Sequence, residues 1–482
     1  MSAVVGAVAI GLVCAVTVLL AWRGGWLRRL GSRTTEDVYV AARSVRPWVN
    51  ASAIGGEYLS AASFLGVAGL IVASGRDGLW YPVGYAAGFL MLLLFVAAPL
   101  RRSGAYALSD FALVRFRDDR AARVLGYAVL GVGWLYMLPQ MHGAALTVHA
   151  VTGAPAWIGP LVVTAVVIVS VVPGGMRSIT LVQAVQYWIK LAALLVPVVA
   201  LVLAFTAGHG GDVLSRLAPA GLPASTQAPL ATVSLVLALV FGTLGLPHVL
   251  VRFYTNPDGA SARTTTVAVI GLVSAFYLLP TALGFLALVS GAASERPDLT
   301  VLELPGRLLH GPVGVAVGAV VAAGAFAAFV STSSGLCIAL AGVIGRRFFG
   351  GTVNGFRRGA LLAALVPGLL ALVTSSTALA GVIASIFALT ASTIAPVLIA
   401  GIWWRRASGT GAVACIVVGA AVCAGALGAG AAGWGRGTMW GGLLGQPALL
   451  SVPAAIAALV IGSLLRPGPA DAETILARLH TP

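Results

Sequence analysis

The chain has 482 residues, of which 59% are hydrophobic and only 9% are charged, and its formal net charge is +15. Soluble domains carry roughly 25% charged residues, so this composition indicates a protein that lies within a lipid bilayer. No polar stretch is long enough to form a soluble catalytic domain. We therefore expect a membrane protein that is not an enzyme.

Apolar stretches of about 20 residues, the length a helix needs to cross the hydrocarbon core, recur along the whole chain. The first follows no basic residue and is too long for the apolar region of a signal peptide, so we expect it to be retained. The pattern predicts an all-α polytopic membrane protein with about thirteen transmembrane helices, at residues 3–22, 47–74, 78–99, 121–149, 155–173, 180–206, 229–251, 265–292, 312–344, 359–375, 378–403, 408–431 and 447–465.

The excess positive charge follows the predicted topology. When successive loops are assigned alternately to the two sides, 23 arginines fall on the side of the C-terminus and 5 on the other. Cytoplasmic loops carry such an excess, so we expect the N-terminus outside and the C-terminus in the cytoplasm. The preference for arginine over lysine, with much alanine, glycine and valine, suggests a bacterial inner membrane. Because the arginines mark topology, they do not indicate a nucleic-acid partner.

One acidic residue, Glu57, lies within an apolar span. Ionisable residues at membrane depth usually face the bundle interior, a partner or an ion path. Glu57 directly follows Gly55 and Gly56, where we expect the helix to be interrupted. Ser60 and Ser63 should share its helical face.

Two roles for Glu57 remain open. It is either a counter-charge or proton relay within a site, or a structural partner of Lys190, Arg252 or a helix end. Lys190 is the sole lysine and lies about halfway along its span. We treat Glu57 and Lys190 as the candidate functional charges within the membrane.

A second helix contains breaking residues at a corresponding position. Gly242, Gly245 and Pro247 lie together near the middle of the span at 229–251. Proline removes a helical hydrogen bond and clashes with the preceding turn, so we expect a break near Gly245. The spans at 47–206 and 229–403 form two sets of five, and the second set is inverted relative to the first. Inverted repeats with matching interruptions are typical of transporters.

Hydroxyl groups cluster in the span at 312–344. Ala328, Ser331 and Thr332 are spaced so that they share one helical face. Neutral oxygens of this kind suit a monovalent cation. A hydroxyl in a transmembrane helix more often bonds to a carbonyl of its own helix, and both interpretations remain open.

Several ordered motifs identify a family. They are EDVYVAAR (36–43), EYLSAASFLGVAGLIVASGRDGLWY (57–81), LPQMHGA (138–144), GGM (174–176), FGTLGLPHVLVRFYT (241–255) and FALTASTIAPVLIAGIWW (387–404). The chain resembles the sodium:solute symporter family over about residues 34–405, and within it the bacterial cation/acetate (monocarboxylate) permeases. It departs at Glu57, where those permeases tend to have aspartate, at Arg347, where many members carry an acid, and at Ala42, where the family has glycine.

The resemblance implies a LeuT-like 5+5 inverted-repeat core. Residues 1–46 would form a peripheral first helix and a basic cytoplasmic loop, 47–206 the first repeat and 207–228 an extracellular loop. Residues 229–403 would form the second repeat, and 404–482 two peripheral helices with a short cytoplasmic tail. Sodium would bind the carbonyls of Gly56, Leu59 and Ala328 and the hydroxyls of Ser331 and Thr332.

The implied function is sodium-coupled symport of a small monocarboxylate such as acetate, propionate or pyruvate into the cell, without any other cofactor or metal. Candidates to line the substrate are Tyr58, Ser63, Gln140, Thr243 and Gly245. A proton-coupled carrier, or a symporter of another organic solute with the same fold, is the alternative. A channel or membrane sensor is the rival from a different class, but the sequence shows neither repeated polar rings nor a signalling domain. The oligomeric state is not predicted.

Overall fold

The computed structural model describes residues 3–26, 34–209, 229–374 and 379–481. Most of the predicted loop at 207–228, and the arginines at 28, 29 and 33, lie outside these ranges. The described helices are α1 (Ala3–Trp26), α2 (Thr35–Val40), α3 (Pro47–Tyr58), α4 (Val67–Ser74), α5 (Trp80–Phe95), α6 (Ala97–Arg102), α7 (Leu108–Phe116), α8 (Asp119–Thr152), α9 (Ile158–His209), α10 (Pro229–Leu244), α11 (Pro247–Phe253), α12 (Gly259–Val289), α13 (Thr300–Leu308), α14 (Gly311–Phe348), α15 (Val353–Val373), α16 (Leu379–Ser392), α17 (Ile394–Trp403), α18 (Gly409–Ala431), α19 (Met439–Gly445), α20 (Ala448–Leu465) and α21 (Ala472–His480).

The predicted all-α membrane class is confirmed, but the count of thirteen spans is not. Among the described residues, ten helical units are long and apolar enough to cross a bilayer, or eleven if α10 and α11 form one bent span. Two of these units, Ala62–Phe95 and Ile158–Ala207, each run through residues of two predicted spans. These two units are therefore helical, as predicted, but each was predicted to belong to two separate membrane crossings. The 5+5 repeat stays a prediction.

The helix α9 shows why such counts differ. It comprises 52 residues, and a straight helix of that length would extend about 78 Å, far more than the hydrocarbon core. Its interior is broken at Gly175, where φ is 63° and ψ is −167°. A side chain rarely tolerates this conformation, so glycine permits a change of chain direction between the two predicted spans.

The first predicted interruption occurs later than expected. Gly55 and Gly56 lie inside α3, and the helix ends at Tyr58, with Leu59 at φ −73° and ψ 84°. The expectation of a break at the glycines is therefore wrong. They are required for close packing instead, because a Cβ on Gly56 would lie 2.1 Å from the carbonyl oxygen of Gln183 in α9.

The second predicted interruption is confirmed. The helix α10 ends at Leu244, α11 begins at Pro247, and the two are bent by 41°. Gly242 and Gly245 also allow close packing, since their added Cβ atoms would lie 2.5 Å and 2.8 Å from carbonyl oxygens of α16. The helix therefore breaks where proline and glycine coincide.

The long helix α14 positions the hydroxyl cluster. It packs against α8, α9 and α15 and also contacts α3. Ser331 and Thr332 are fully buried in the middle of this helix. The contact with α3 brings them to the point where the first interruption begins.

Candidate functional site

The two interruptions meet inside the helical bundle. The hydroxyl of Tyr58, at the end of α3, lies 3.3 Å from that of Thr243, near the end of α10. Tyr58 also lies 3.3 Å from the carbonyl oxygen of Tyr85, and Thr243 donates to that of Leu239 at 2.8 Å. Both side chains are buried. Two of the predicted substrate residues are therefore neighbours although 185 positions separate them.

The other three candidates lie at or near the interruptions. Gln140 in α8 accepts a hydrogen bond of 2.9 Å from the main-chain N–H of Ala61. This contact satisfies a main-chain donor that the interrupted helix leaves free. The hydroxyl of Ser63 lies 2.9 Å from that of Tyr277. Gly245 lies in the second interruption, between α10 and α11.

Tyr58 belongs to a group of aromatic side chains around these residues, and its other four members were not among the predicted site residues. The rings of Tyr85 and Tyr277 stack with centroids 5.6 Å apart. Tyr58 meets Tyr85 edge-on at 6.1 Å, and Phe387 lies 5.1 Å from Tyr85 and 6.1 Å from Tyr136. We call these five residues the aromatic cluster. Its members come from five different helices, and the spacing of tyrosines in apolar spans gave no sign that they would converge.

The predicted sodium ligands are also brought together. Ser331 donates to the carbonyl oxygens of Gly56 at 2.7 Å and Ala328 at 3.1 Å. Thr332 donates to the carbonyl oxygen of Glu57 at 2.6 Å. Only the hydrogen bond from Ser331 to Ala328 lies within α14, as expected if the hydroxyls bond to their own helix. The other contacts cross from α14 to the end of α3.

The ammonium group of Lys190 lies among these same oxygens. Its Nζ donates to the carbonyl oxygen of Gly56, to that of Leu59 at 2.8 Å and to Oγ of Ser331 at 3.0 Å. We call these three acceptors the oxygen cage. The side chain of Lys190 is fully buried. The sequence marked Lys190 as unusual, but it gave no sign that this residue would contact three of the five predicted sodium ligands.

Glu57 pairs with Arg252 rather than with Lys190. Arg252 Nε lies 3.0 Å from Glu57 Oε2, and both side chains have no exposed surface. Arg252 also donates to Oγ1 of Thr180 at 2.6 Å and to Oε1 of Gln183. The predicted place of Arg252 among the 23 loop arginines is wrong, because α11 carries this side chain into the bundle, where it is fully buried. Of the two roles open for Glu57, the structural pairing with Arg252 is present.

Arg347, where the family often has an acid, has a partner at the end of α14. Its two terminal nitrogens donate to the two carboxylate oxygens of Asp119 at 2.8 Å and 3.0 Å. This exposed pair connects the ends of α14 and α8 and lies apart from the candidate site.

Comparisons with known proteins agree with this architecture. Over 446 residues the chain is 33% identical to a Corynebacterium glutamicum protein named monocarboxylic acid transporter, covering 81% of this chain and 78% of that one. It is 30% identical over 429 residues to the uncharacterized symporter YwcA of Bacillus subtilis, covering 84% and 81% of the two chains.

Solved structures show the same fold at low sequence identity. A Na+-coupled sialic acid symporter in a substrate-bound, outward-open state matches with a TM-score of 0.74 and 15% identity, over 96% of this chain and 99% of that one. The nucleobase-cation-symport-1 family transporter Mhp1, in a closed conformation, matches with a TM-score of 0.58 and 14% identity, over 92% and 98%. The model of the sodium:solute symporter family matches residues 38–419, and the chain belongs to that family.

Proposed function

We propose that this protein is a secondary active transporter that carries a small monocarboxylate, such as acetate, propionate or pyruvate, into the cell together with a cation. The observation that carries this proposal is the meeting of two interrupted helices, where the hydroxyls of Tyr58 and Thr243 are 3.3 Å apart. Solute sites of such transporters lie at helix interruptions, because main-chain groups there are free to bind a ligand.

The charges inside the bundle support an anionic solute. Arg252 and Lys190 are fully buried cations close to the one carboxylate of Glu57. With Lys190 protonated, these three groups together carry one excess positive charge in a region where water screens poorly. A solute carboxylate would offset that charge. Such a site therefore favours an anion over an uncharged analogue of the same shape.

The chemistry of the surroundings supports a small solute with an aliphatic chain and a carboxylate. The aromatic cluster lines the meeting point of the interruptions with rings, and its tyrosines add hydroxyl groups. A short aliphatic acid would pack its chain against rings and direct its carboxylate to hydroxyl donors. The name of the Corynebacterium glutamicum relative, a monocarboxylic acid transporter, supports the same substrate class.

The family supports sodium as the coupled cation, since its members are described as sodium:solute symporters. The predicted ligands Gly56, Leu59, Ala328, Ser331 and Thr332 lie together around the first interruption. A proton is the second candidate. The contacts of Lys190 with the oxygen cage favour a proton over sodium, because this side chain already binds three of the oxygens that a sodium ion would need.

Transport requires a conformational change. Tyr58, Ser63, Gln140 and Thr243 are all buried, so neither side of the membrane has direct access to them in this conformation. Relative motion of the repeats would open the site to each side in turn. The distribution of arginines supports a cytoplasmic C-terminus, and the preference for arginine over lysine supports a bacterial inner membrane.

Uptake into proteoliposomes tests the proposal. The purified protein is reconstituted, and uptake of labelled pyruvate is measured under a sodium gradient and, separately, a proton gradient. We expect pyruvate to accumulate under at least one gradient, above the level in protein-free liposomes. Propionate and acetate should compete, whereas propionamide should not. Accumulation of no monocarboxylate under either gradient would contradict the proposal.

A tyrosine pair supplies the matched control. Tyr58→Phe removes one hydroxyl from the proposed site, and a hydrogen bond to a charged group contributes about 1.5–3 kcal/mol, so KM should rise about 10-fold or more. Tyr127→Phe makes the same change on the surface of α8, where the side chain is 55% exposed. This control should transport as the unmodified protein does. Equal KM values for the two variants would exclude Tyr58 as a substrate contact.

A further inference from the structure

His248 is a buried side chain whose polar atoms have no partner among the described residues. It is the second residue of α11 and lies directly after the second interruption. Its exposed fraction is 0%, and neither Nδ1 nor Nε2 makes a hydrogen bond to any part of the chain that the structure describes. Buried polar side chains nearly always have a hydrogen-bond partner, so a side chain without one requires an explanation.

Tyr85, a member of the aromatic cluster, has the same property. Its side chain is 2% exposed, and its hydroxyl group has no hydrogen-bond partner within the described ranges. The hydroxyl of Thr243 differs, because it already donates its hydrogen to the carbonyl oxygen of Leu239 at 2.8 Å. The donors of Tyr85 and His248 are therefore available to a ligand without the loss of a hydrogen bond within the protein.

His248 lies beside the aromatic cluster. Its ring centroid is 5.3 Å from that of Tyr136, which lies 6.1 Å from that of Phe387. Phe387 is in turn 5.1 Å from Tyr85, so the four rings form a continuous row with an unpaired donor at each end. Tyr85 also meets Tyr58 edge-on at 6.1 Å, where the two interruptions approach each other. Both unpaired donors therefore belong to the region of the proposed solute site.

The chemistry of these donors fits a carboxylate. An imidazole has at least one N–H donor in each of its protonation states, and a phenol has one O–H donor. Carboxylate oxygens only accept hydrogen bonds when the group is ionised, and such bonds are roughly twice as strong as those between neutral groups. A buried carboxylate would thus supply the acceptors that these two side chains lack.

We propose that the imidazole of His248 binds the carboxylate of the transported solute, with the hydroxyl of Tyr85 as a second donor. The inference rests on the proposed symport function, and it assigns the side chains that hold the acidic group of the solute. Neither residue was among the predicted site residues, because a histidine or tyrosine in an apolar span gives no sign of whether its polar atoms are paired.

A role in solute binding and a role in folding predict different effects of one substitution. A buried polar group without a partner lowers the stability of the solute-free protein, and an apolar side chain of similar size avoids this cost. His248→Leu should therefore melt at the same or a higher temperature than the unmodified protein when no solute is present. It should also raise the KM for pyruvate about 10-fold or more, because a hydrogen bond to a charged group is lost.

Two assays on the full-length protein measure these effects. Melting temperatures are recorded in detergent with and without pyruvate, and KM is measured in proteoliposomes. Pyruvate should raise the melting temperature of the unmodified protein more than that of His248→Leu at the same concentration. His248→Asn keeps an N–H donor and should have a lower KM than His248→Leu. Tyr85→Phe removes a single oxygen atom, so it tests the same inference if His248→Leu does not fold, and its KM should also rise without a lower melting temperature.

The control is His310→Leu, at an exposed histidine before α14 whose side chain does not cap that helix, and it should behave as the unmodified protein. If the unmodified protein accumulates pyruvate while His248→Leu and Tyr85→Phe keep the KM of the control, the inference is overturned and the symport proposal remains intact. Lower melting temperatures of both solute-free variants would also overturn it, because the polar atoms would then serve the fold. If no monocarboxylate accumulates under either gradient, the symport proposal fails, and the melting temperatures still decide whether these polar atoms stabilise the fold.

Discussion

Replacement of Glu57 by glutamine is expected to destabilise the protein strongly. Its carboxylate lies 3.0 Å from Arg252 Nε, and both side chains are fully buried. Removal of one partner from a buried ion pair costs about 3–5 kcal/mol, because the other charge stays buried without compensation. Glu57→Gln should fall at the upper end of this range, since it leaves both Arg252 and Lys190 without a nearby carboxylate. Arg252→Met should fall at the lower end, since Lys190 remains near Glu57.

The double variant Glu57→Gln/Arg252→Met separates the pair from its surroundings. It removes both charges, so its free energy of unfolding should lie above that of Glu57→Gln alone. The coupling energy should be about 1–3 kcal/mol, as for other residues in direct contact. The assay is reversible denaturation of the purified protein in detergent, followed by circular dichroism, for the two single variants and the double variant.

An exposed ion pair provides the control for this cycle. Arg123 lies 3.3 Å from Asp119 on the surface of α8, and both side chains are about half exposed or more. Arg123→Met should leave the free energy of unfolding nearly unchanged, because water and salt screen exposed pairs. Additive effects of the Glu57 and Arg252 substitutions, or single effects no larger than that of Arg123→Met, would refute the reasoning.

Two further substitutions test the packing and the electrostatics. Gly56→Ala would place a Cβ 2.1 Å from the carbonyl oxygen of Gln183, so it should lower the free energy of unfolding by about 1–3 kcal/mol or more. The control is Gly271→Ala, because nothing lies within 4 Å of the Cβ that it adds. Equal melting temperatures for the two variants would contradict the packing argument. In the segment between α12 and α13, burial raises the pKa of Asp298, whose carboxylate accepts from the N–H of Leu379 at 3.1 Å. A carboxyl group whose pKa is raised in the folded state lowers the free energy of unfolding once the pH is high enough to ionise it. This penalty disappears at low pH, where the group is protonated. Asp298→Asn keeps an acceptor for the N–H of Leu379 but removes the ionisable group, so it should raise the melting temperature at neutral pH. This gain should shrink as the pH is lowered towards 4. A gain that does not depend on pH would contradict this explanation.

The sequence by itself determined the class of protein and one of its two interruptions. Long, continuous apolar stretches with few charges predict membrane helices, because a helix satisfies all main-chain hydrogen bonds within one segment in lipid. The break near Gly245 was equally predictable, since Pro247 disrupts a helix through its own covalent structure. The motifs that marked the sodium:solute symporter family are also local in sequence, and the family match confirms them.

The tertiary structure decided the partners of the buried charges. Glycine at positions 55 and 56 permits either a broken helix or a close approach, and only the position of α9 shows that close approach applies. Glu57 could have paired with Lys190 or with Arg252. The bend between α10 and α11 places Arg252 beside Glu57, and these two residues form the pair. The contact of Lys190 with Leu59 spans 131 positions. Such contacts depend on how whole helices are placed against each other, and no local pattern in one chain carries that information.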